Sequence, residues 1–117
     1  MKPMRPIQEK QRAYQEQLLT ELREALESRA ITAVSIVDAS DRPGVDVTDS
    51  RFRPRRIYVH LAFLWFYWGD QPDERVSCLR IDHATDTIEK AARDGWHEGP
   101  QGELHVDLSK VLDAHRM

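Results

Sequence analysis

The residues best equipped for chemistry lie in Arg51-Phe52-Arg53-Pro54-Arg55-Arg56, where four guanidinium groups and a phenyl ring occupy six positions. A guanidinium fork matches phosphate oxygens, and an aromatic ring can stack on a base. Arg51, Phe52, Arg53, Arg55 and Arg56 are therefore the candidate phosphate or nucleic-acid contacts. The competing expectation is a solvated loop whose charge is neutralised by nearby acids such as Asp46, Asp49, Asp70 and Glu74. A formal net charge of −3 and a pI near 5.9 exclude a globally basic nucleic-acid binder, and one loop falls short of a basic face.

Five histidines and one cysteine raise the question of a metal, but no HxxxH or CxxC spacing occurs. His60 falls in a strand, His83 at a helix approach, His97 and His105 in or near a loop, and His115 near the C-terminus, so a zinc site would need assembly from tertiary contacts alone. Cys78 and His60 could face each other on adjacent strands as thiolate and base. The plainer expectation for Cys78 is a small buried side chain. The chain has neither a glycine loop to cradle phosphate nor a recognisable acid, base and nucleophile set. No catalytic, metal or cofactor-binding residue is assigned, and no cofactor is expected.

These side chains must be positioned by a fold organised around Ile57-Tyr58-Val59-His60-Leu61-Ala62-Phe63-Leu64-Trp65-Phe66-Tyr67-Trp68. The run is too apolar to face water and shorter than the roughly 20 residues that cross a bilayer. Its β-branched and aromatic content reads as one central strand. Alternation puts Ile57, Val59, Leu61, Phe63, Trp65 and Tyr67 on the core face, with Trp65 more buried than Tyr58. The opposite row ends in Leu64, Phe66 and Trp68, an apolar patch that either the C-terminal tail or a partner must cover. Leu64, Phe66 and Trp68 are accordingly the candidate partner-binding residues, with a twofold homodimer as the commonest cover.

Around that strand the pattern predicts a long helix over 7–28, with Tyr14, Leu18, Leu22 and Leu26 as its stripe and a polar, projecting start. Strand composition over 31–37 places Val34 and Ile36 on one face. Arg42-Pro43-Gly44 reads as a type II turn into a short strand carrying Val45 and Val47. Residues 69–74 turn the chain into a strand over 76–81. A second helix capped by Thr85 or Asp86 runs to Gly95, with Trp96 folded back on its last turn. Leu104, Val106 and Leu108 suggest a short strand, and Val111, Leu112 and His115 a last helical turn. The order helix, three strands, helix is similar to that of double-stranded RNA-binding domains. Arg80-Ile81-Asp82-His83-Ala84-Thr85-Asp86 occupies the place of that family's glycine- and lysine-rich segment, so no residue role is carried over.

The expectation is one α+β domain over 1–117, with residues 1–6 extended or disordered, a long N-terminal helix, an antiparallel meander of three or four strands, and a shorter C-terminal helix with a tail. No internal repeat is apparent. A lone cysteine and a polar N-terminus without a signal peptide's apolar core point to a cytoplasmic location and no membrane. The function expected is that of a small non-enzymatic accessory or regulatory protein acting through protein contacts as a homodimer. The alternative is a nucleic-acid-binding module using the arginine loop.

Overall fold

The computed structural model describes residues 5–97, so the strand and helical turn expected between Leu104 and His115 lie outside the described residues. In chain order, α1 (Arg5–Glu27), β1 (Ala33–Val37), β2 (Pro43–Thr48), β3 (Pro54–His60), β4 (Trp65–Tyr67), a 3-10 turn (Pro72–Glu74), β5 (Arg75–Ser77) and α2 (Ile81–Asp94) follow one another. The strands form one antiparallel meander in the order β1-β2-β3-β4-β5, five strands where three or four were expected. The α+β layout with a long first helix and a shorter second one is as the sequence indicates. No helix among the described residues is long and apolar enough to cross a membrane.

Both helices pack on the same face of the sheet. Leu18, Leu19, Leu22 and Leu26 of α1 and Ala84, Ile88 and Ala92 of α2 share one core with Val45, Val47, Ile57, Val59, Phe66, Trp68 and Val76. Tyr14, placed on the helix stripe by its spacing, is 42% exposed because α1 has run past the sheet by that turn. There Arg12 pairs with Glu16 and reaches across to the Asp41 carboxylate and backbone carbonyl.

The central stretch is a hairpin rather than one strand. Residues 61–64 form a turn in which the Leu64 N–H donates to the Leu61 carbonyl at 3.3 Å and Leu64 takes a φ of 56°. The turn reverses the parity of the inward side chains: Ile57 and Val59 face the core from β3, but Phe66 faces it from β4. The row assigned to the core from alternation is therefore split. Phe63 is 61% exposed, Trp65 and Tyr67 are half-buried, and Tyr58 is more buried than Trp65, the reverse of the expectation. Phe66 and Trp68 are core residues beneath the helices instead of a surface patch, and only Leu64 of the three stays partly exposed at the core's edge.

Two more boundaries move. Pro43 and Gly44 belong to β2, and the turn before them occupies 38–42. α2 begins at Ile81, four residues before Thr85, which is fully buried and donates its hydroxyl to the Ile81 carbonyl at 2.6 Å as an interior residue instead of a cap. Gly95 ends α2 with a positive φ of 96°, but its ψ of 135° is not the left-handed ending the sequence suggests, and Trp96 is buried against the β2–β3 loop, bonded to Asp49 and Arg53.

At the end of α1 the Ile31 N–H bonds back to the Leu26 carbonyl at 3.0 Å, and Ala30 sits at φ 64° where such endings usually carry glycine. A Cβ in that conformation costs about 1 kcal/mol or more. Ala30→Gly should therefore stabilise the protein by roughly 0.5–1 kcal/mol despite the added freedom of its unfolded chain. An unchanged or lower denaturation midpoint would contradict this account of the helix end.

Candidate functional site

The loops at the two ends of β2 are built alike. Asp38-Ala39-Ser40-Asp41-Arg42-Pro43 and Asp49-Ser50-Arg51-Phe52-Arg53-Pro54 share the pattern D-x-x-x-R-P, eleven positions apart. In the first loop one Asp38 carboxylate oxygen accepts the N–H groups of Ser40 (2.8 Å) and Arg42 (2.9 Å), and the other accepts the Arg42 guanidinium at 2.9 Å. In the second, Asp49 accepts the N–H groups of Arg51 (2.9 Å) and Arg53 (2.8 Å) and the Arg53 guanidinium at 3.1 Å. Asp41 and Phe52, fourth in each loop, both take a φ near 65°. Each loop is a hydrogen-bonded turn closed by a left-handed residue, the pattern of a common three-residue hairpin connection, and the following proline opens the next strand. Both carboxylates are buried, and each takes a donor from a distant part of the chain, the Tyr58 hydroxyl on Asp38 at 2.8 Å and the Trp96 N–H on Asp49 at 2.9 Å.

The first of these loops borders the candidate site, the sheet face that neither helix covers. Because the β3–β4 turn reverses parity, Tyr58 stands directly across from Tyr67 and His60 from Trp65, all on this outer face. Arg56 lies across from Asp46 and pairs with it at 2.8 and 3.2 Å. Gly44 on β2 leaves room for its neighbours, since a Cβ there would come within 3.3 Å of both Ile36 and Arg56 side-chain atoms. The Arg42 guanidinium lies 4.2 Å over the Tyr58 ring, and that of Arg75 4.4 Å over Trp65. Phe63 stacks at 4.8 Å on both His60 and Trp65. The result is a continuous band of rings and guanidinium groups.

The electrostatics of the band are fixed by this network. Burial alone would raise the Asp38 carboxyl. The N–H and guanidinium of Arg42, the Tyr58 hydroxyl and the Ser40 N–H outweigh it and hold the group far below the usual carboxylate range. Burial pushes the Tyr58 phenol up and its bond to Asp38 pushes it further, partly offset by Arg56 and Arg42. Tyr58 is thus held as a hydrogen-bond donor. Tyr67 is raised likewise by burial, against the charge and hydrogen bond of Arg42.

The arginine loop has a different placement from the band. Arg53 and Arg55 hold the segment after α2: Arg53 donates to the Trp96 carbonyl at 2.7 Å, and Arg55, itself buried, donates to the His97 carbonyl at 3.0 Å and to Glu74 at 3.3 Å. The Trp96 indole N–H in turn donates to the Arg53 carbonyl at 3.0 Å. Three of the four acids proposed as neutralising partners, Asp46, Asp49 and Glu74, do pair with these arginines. Arg51 and Phe52 remain exposed, Phe52 at 87%. Beside Trp96, a cleft of about 240 Å³ lies between Trp68, Glu74, Ala91 and His97. It is smaller than usual ligand pockets, which begin near 300 Å³. His60 and Cys78 do not meet, because β4 separates β3 from β5 and Cys78 belongs to the core while His60 is exposed. Burial raises the Cys78 thiol above its ordinary value. Among the described residues, no group of three or more His, Cys, Asp or Glu side chains is placed to hold a metal ion.

No protein-family model, no curated protein and no solved structure matches the chain. The chain does carry one short internal repeat, the D-x-x-x-R-P loop, and it is the sequence signal for the site's border. The ring band itself followed from a turn without glycine, proline, asparagine or aspartate, and no local signal marks it.

Asp49 allows a test of the loop chemistry. Burial would raise its carboxyl, but the N–H groups of Trp96, Arg53 and Arg51 and the Arg53 guanidinium lower it from 3.8 to about 2. A depressed carboxyl contributes stability above its unfolded value and loses it as pH falls through its folded value. The stability gap between the wild type and Asp49→Asn should therefore be full above about pH 5 and close as pH falls towards 2. At neutral pH the gap should be about 2–4 kcal/mol, since several charge-assisted bonds are weakened together. A gap that stays constant on acidification, followed by denaturant titration, would show that the carboxylate charge is not what holds the loop.

Proposed function

We infer that the chain is a non-enzymatic accessory or regulatory protein that acts through protein contacts, homodimeric, with the outer sheet face as its contact surface. One observation carries this reading. The face that neither helix covers bears, among the described residues, Arg42, Arg56, Tyr58, His60, Phe63, Trp65, Tyr67 and Arg75, beside Val34, Ile36 and the Asp46 that pairs with Arg56, and neither lysine nor glutamate. Tyrosine, tryptophan and arginine concentrate at the energetic centres of protein interfaces, where lysine and glutamate are depleted. The pairing of Arg42 with Asp38 and of Arg56 with Asp46 favours a protein partner over a polyanion, because those positive charges already have anionic partners.

Selection of displayed random peptides on the immobilised full chain tests the surface. Recovered peptides should lose about tenfold or more in affinity when Phe63→Ala or Arg75→Ala is introduced. Phe52→Ala, on the opposite loop, should leave them unaffected. Peptides indifferent to Phe63 and Arg75 would overturn the assignment of this face. A salt-sensitive affinity for single-stranded DNA that is lost in the Arg51→Ala, Phe52→Ala double variant would instead support nucleic-acid binding through the arginine loop.

A further inference from the structure

We propose that the homodimer forms by antiparallel pairing of β1 with β1 of a second copy about a twofold axis at Ser35, joining two sheets into one of ten strands. This rests on the homodimeric part of the function proposed above and adds its interface.

The argument begins with hydrogen-bond parity. Thr48 N–H donates to the Thr32 carbonyl and Asp38 N–H to the Arg42 carbonyl, so the pairs 32 with 48 and 38 with 42 are hydrogen-bonded ones. Antiparallel ladders alternate, which makes Val34 with Asp46 and Ile36 with Gly44 the intervening bonded pairs. Ala33, Ser35 and Val37 therefore point their N–H and carbonyl groups away from β2, towards an edge with which no other described strand pairs. Those three residues are symmetric about Ser35. A twofold there pairs Ala33 with the second copy's Val37, and Ser35 with itself, in hydrogen-bonded register.

The side chains suit the same pairing. Ala33-Val34-Ser35-Ile36-Val37 carries no charge and no proline, the usual devices that keep an edge strand from pairing. At the other edge, β5 has three residues and opens with Arg75. Val34 and Val37 are 54% and 57% exposed. In the dimer Val34 would stand across from Ile36 of the second copy, and a small Ala33 across from a larger Val37. The outward groups of Ala33, Ser35 and Val37 and the apolar Val34–Ile36 row map onto themselves under this one axis, so a second copy brings an edge that matches in hydrogen bonds and side chains together. With the axis perpendicular to the sheet, both ring bands face the same side, which presents the contact surface in duplicate.

Light scattering on the full chain across a dilution series should give twice the monomer mass of 13.6 kDa at high concentration. Ser35→Pro and Val34→Lys should each return the mass to that of the monomer. Proline at 35 removes an outward N–H and leaves the β1–β2 ladder intact, and an unchanged near-ultraviolet tryptophan spectrum verifies folding. As a direct readout, Ser35→Cys should give a disulfide-linked dimer under mild oxidation, since paired α-carbons lie about 5.5 Å apart. Ser50→Cys, at the far end of β2, should not, and the native Cys78 is buried. A dimer that persists in Ser35→Pro and Val34→Lys and fails to crosslink at Ser35 overturns edge pairing but leaves the homodimer standing. A wild type that is monomeric throughout overturns both.

Discussion

An aspartate taken out of water at a hairpin mouth is the constraint on which most of this structure depends. Burying a carboxylate costs several kcal/mol unless its lone pairs are filled, and Asp49 fills them with three backbone N–H groups and one guanidinium. Those donors come from the β2–β3 loop and from the segment after α2. One anion therefore sets the register of a hairpin and the resting place of a helix end together. Asp38 does the same at the opposite end of β2, with Tyr58 as its distant donor. Since the register of β2 against β1 and β3 decides which side chains face outward, the two carboxylates jointly determine the composition of both sheet faces.

The same logic explains why the arginine-rich loop is so basic. Arg42 and Arg53 close their own loops on the buried carboxylates, Arg55 neutralises Glu74 beneath Trp96, and Arg56 answers Asp46 across the sheet. Each of these four arginines, though not the exposed Arg51, is assigned by geometry to a carboxylate, and a planar fork bonds backbone carbonyls and carboxylates from one fixed pose in a way lysine does not. A cluster that looks like a phosphate clamp in one dimension is divided in three between the loop, the helix end and the outer face.

What the sequence made legible was whatever depends on periodicity within one element. The helix stripe at Leu18, Leu22 and Leu26, the alternation of Val45 and Val47, the stop at Gly95 and the antiparallel meander all follow from local spacing and short connections. What stayed hidden were left-handed residues that are not glycine: Ala30, Asp41, Phe52 and Leu64. Each ends an element through tertiary support, so no composition marks it. The cost was largest at Leu64. A turn inside twelve apolar residues reads as continuous strand, and a two-residue periodicity carried across it assigns every later side chain to the wrong face. Phe66 and Trp68 thereby changed places with Trp65 and Tyr67, and the candidate surface moved with them. The repeated D-x-x-x-R-P pattern was visible, and its meaning rests on aspartate's habit of accepting the N–H two residues on.

The outer face that results is rigid in a way that bears on binding. A long arginine side chain normally loses about 2 kcal/mol of rotamer entropy when a partner immobilises it. Here Arg42 is fixed by Asp38 and the Tyr58 ring, Arg56 by Asp46, and Arg75 by the Trp65 ring. Phe63 stacks on both His60 and Trp65, whose rings lie tilted to each other. Folding has therefore already ordered the groups that an approaching surface would otherwise have to order, and contacts to them return more of their gross energy as affinity. A sheet face that only needed to remain soluble would carry flexible lysine and glutamate, whose entropy resists association. The rings and forks on this face, held by buried anions at its border, are the ordered kind of surface on which the proposed contact rests.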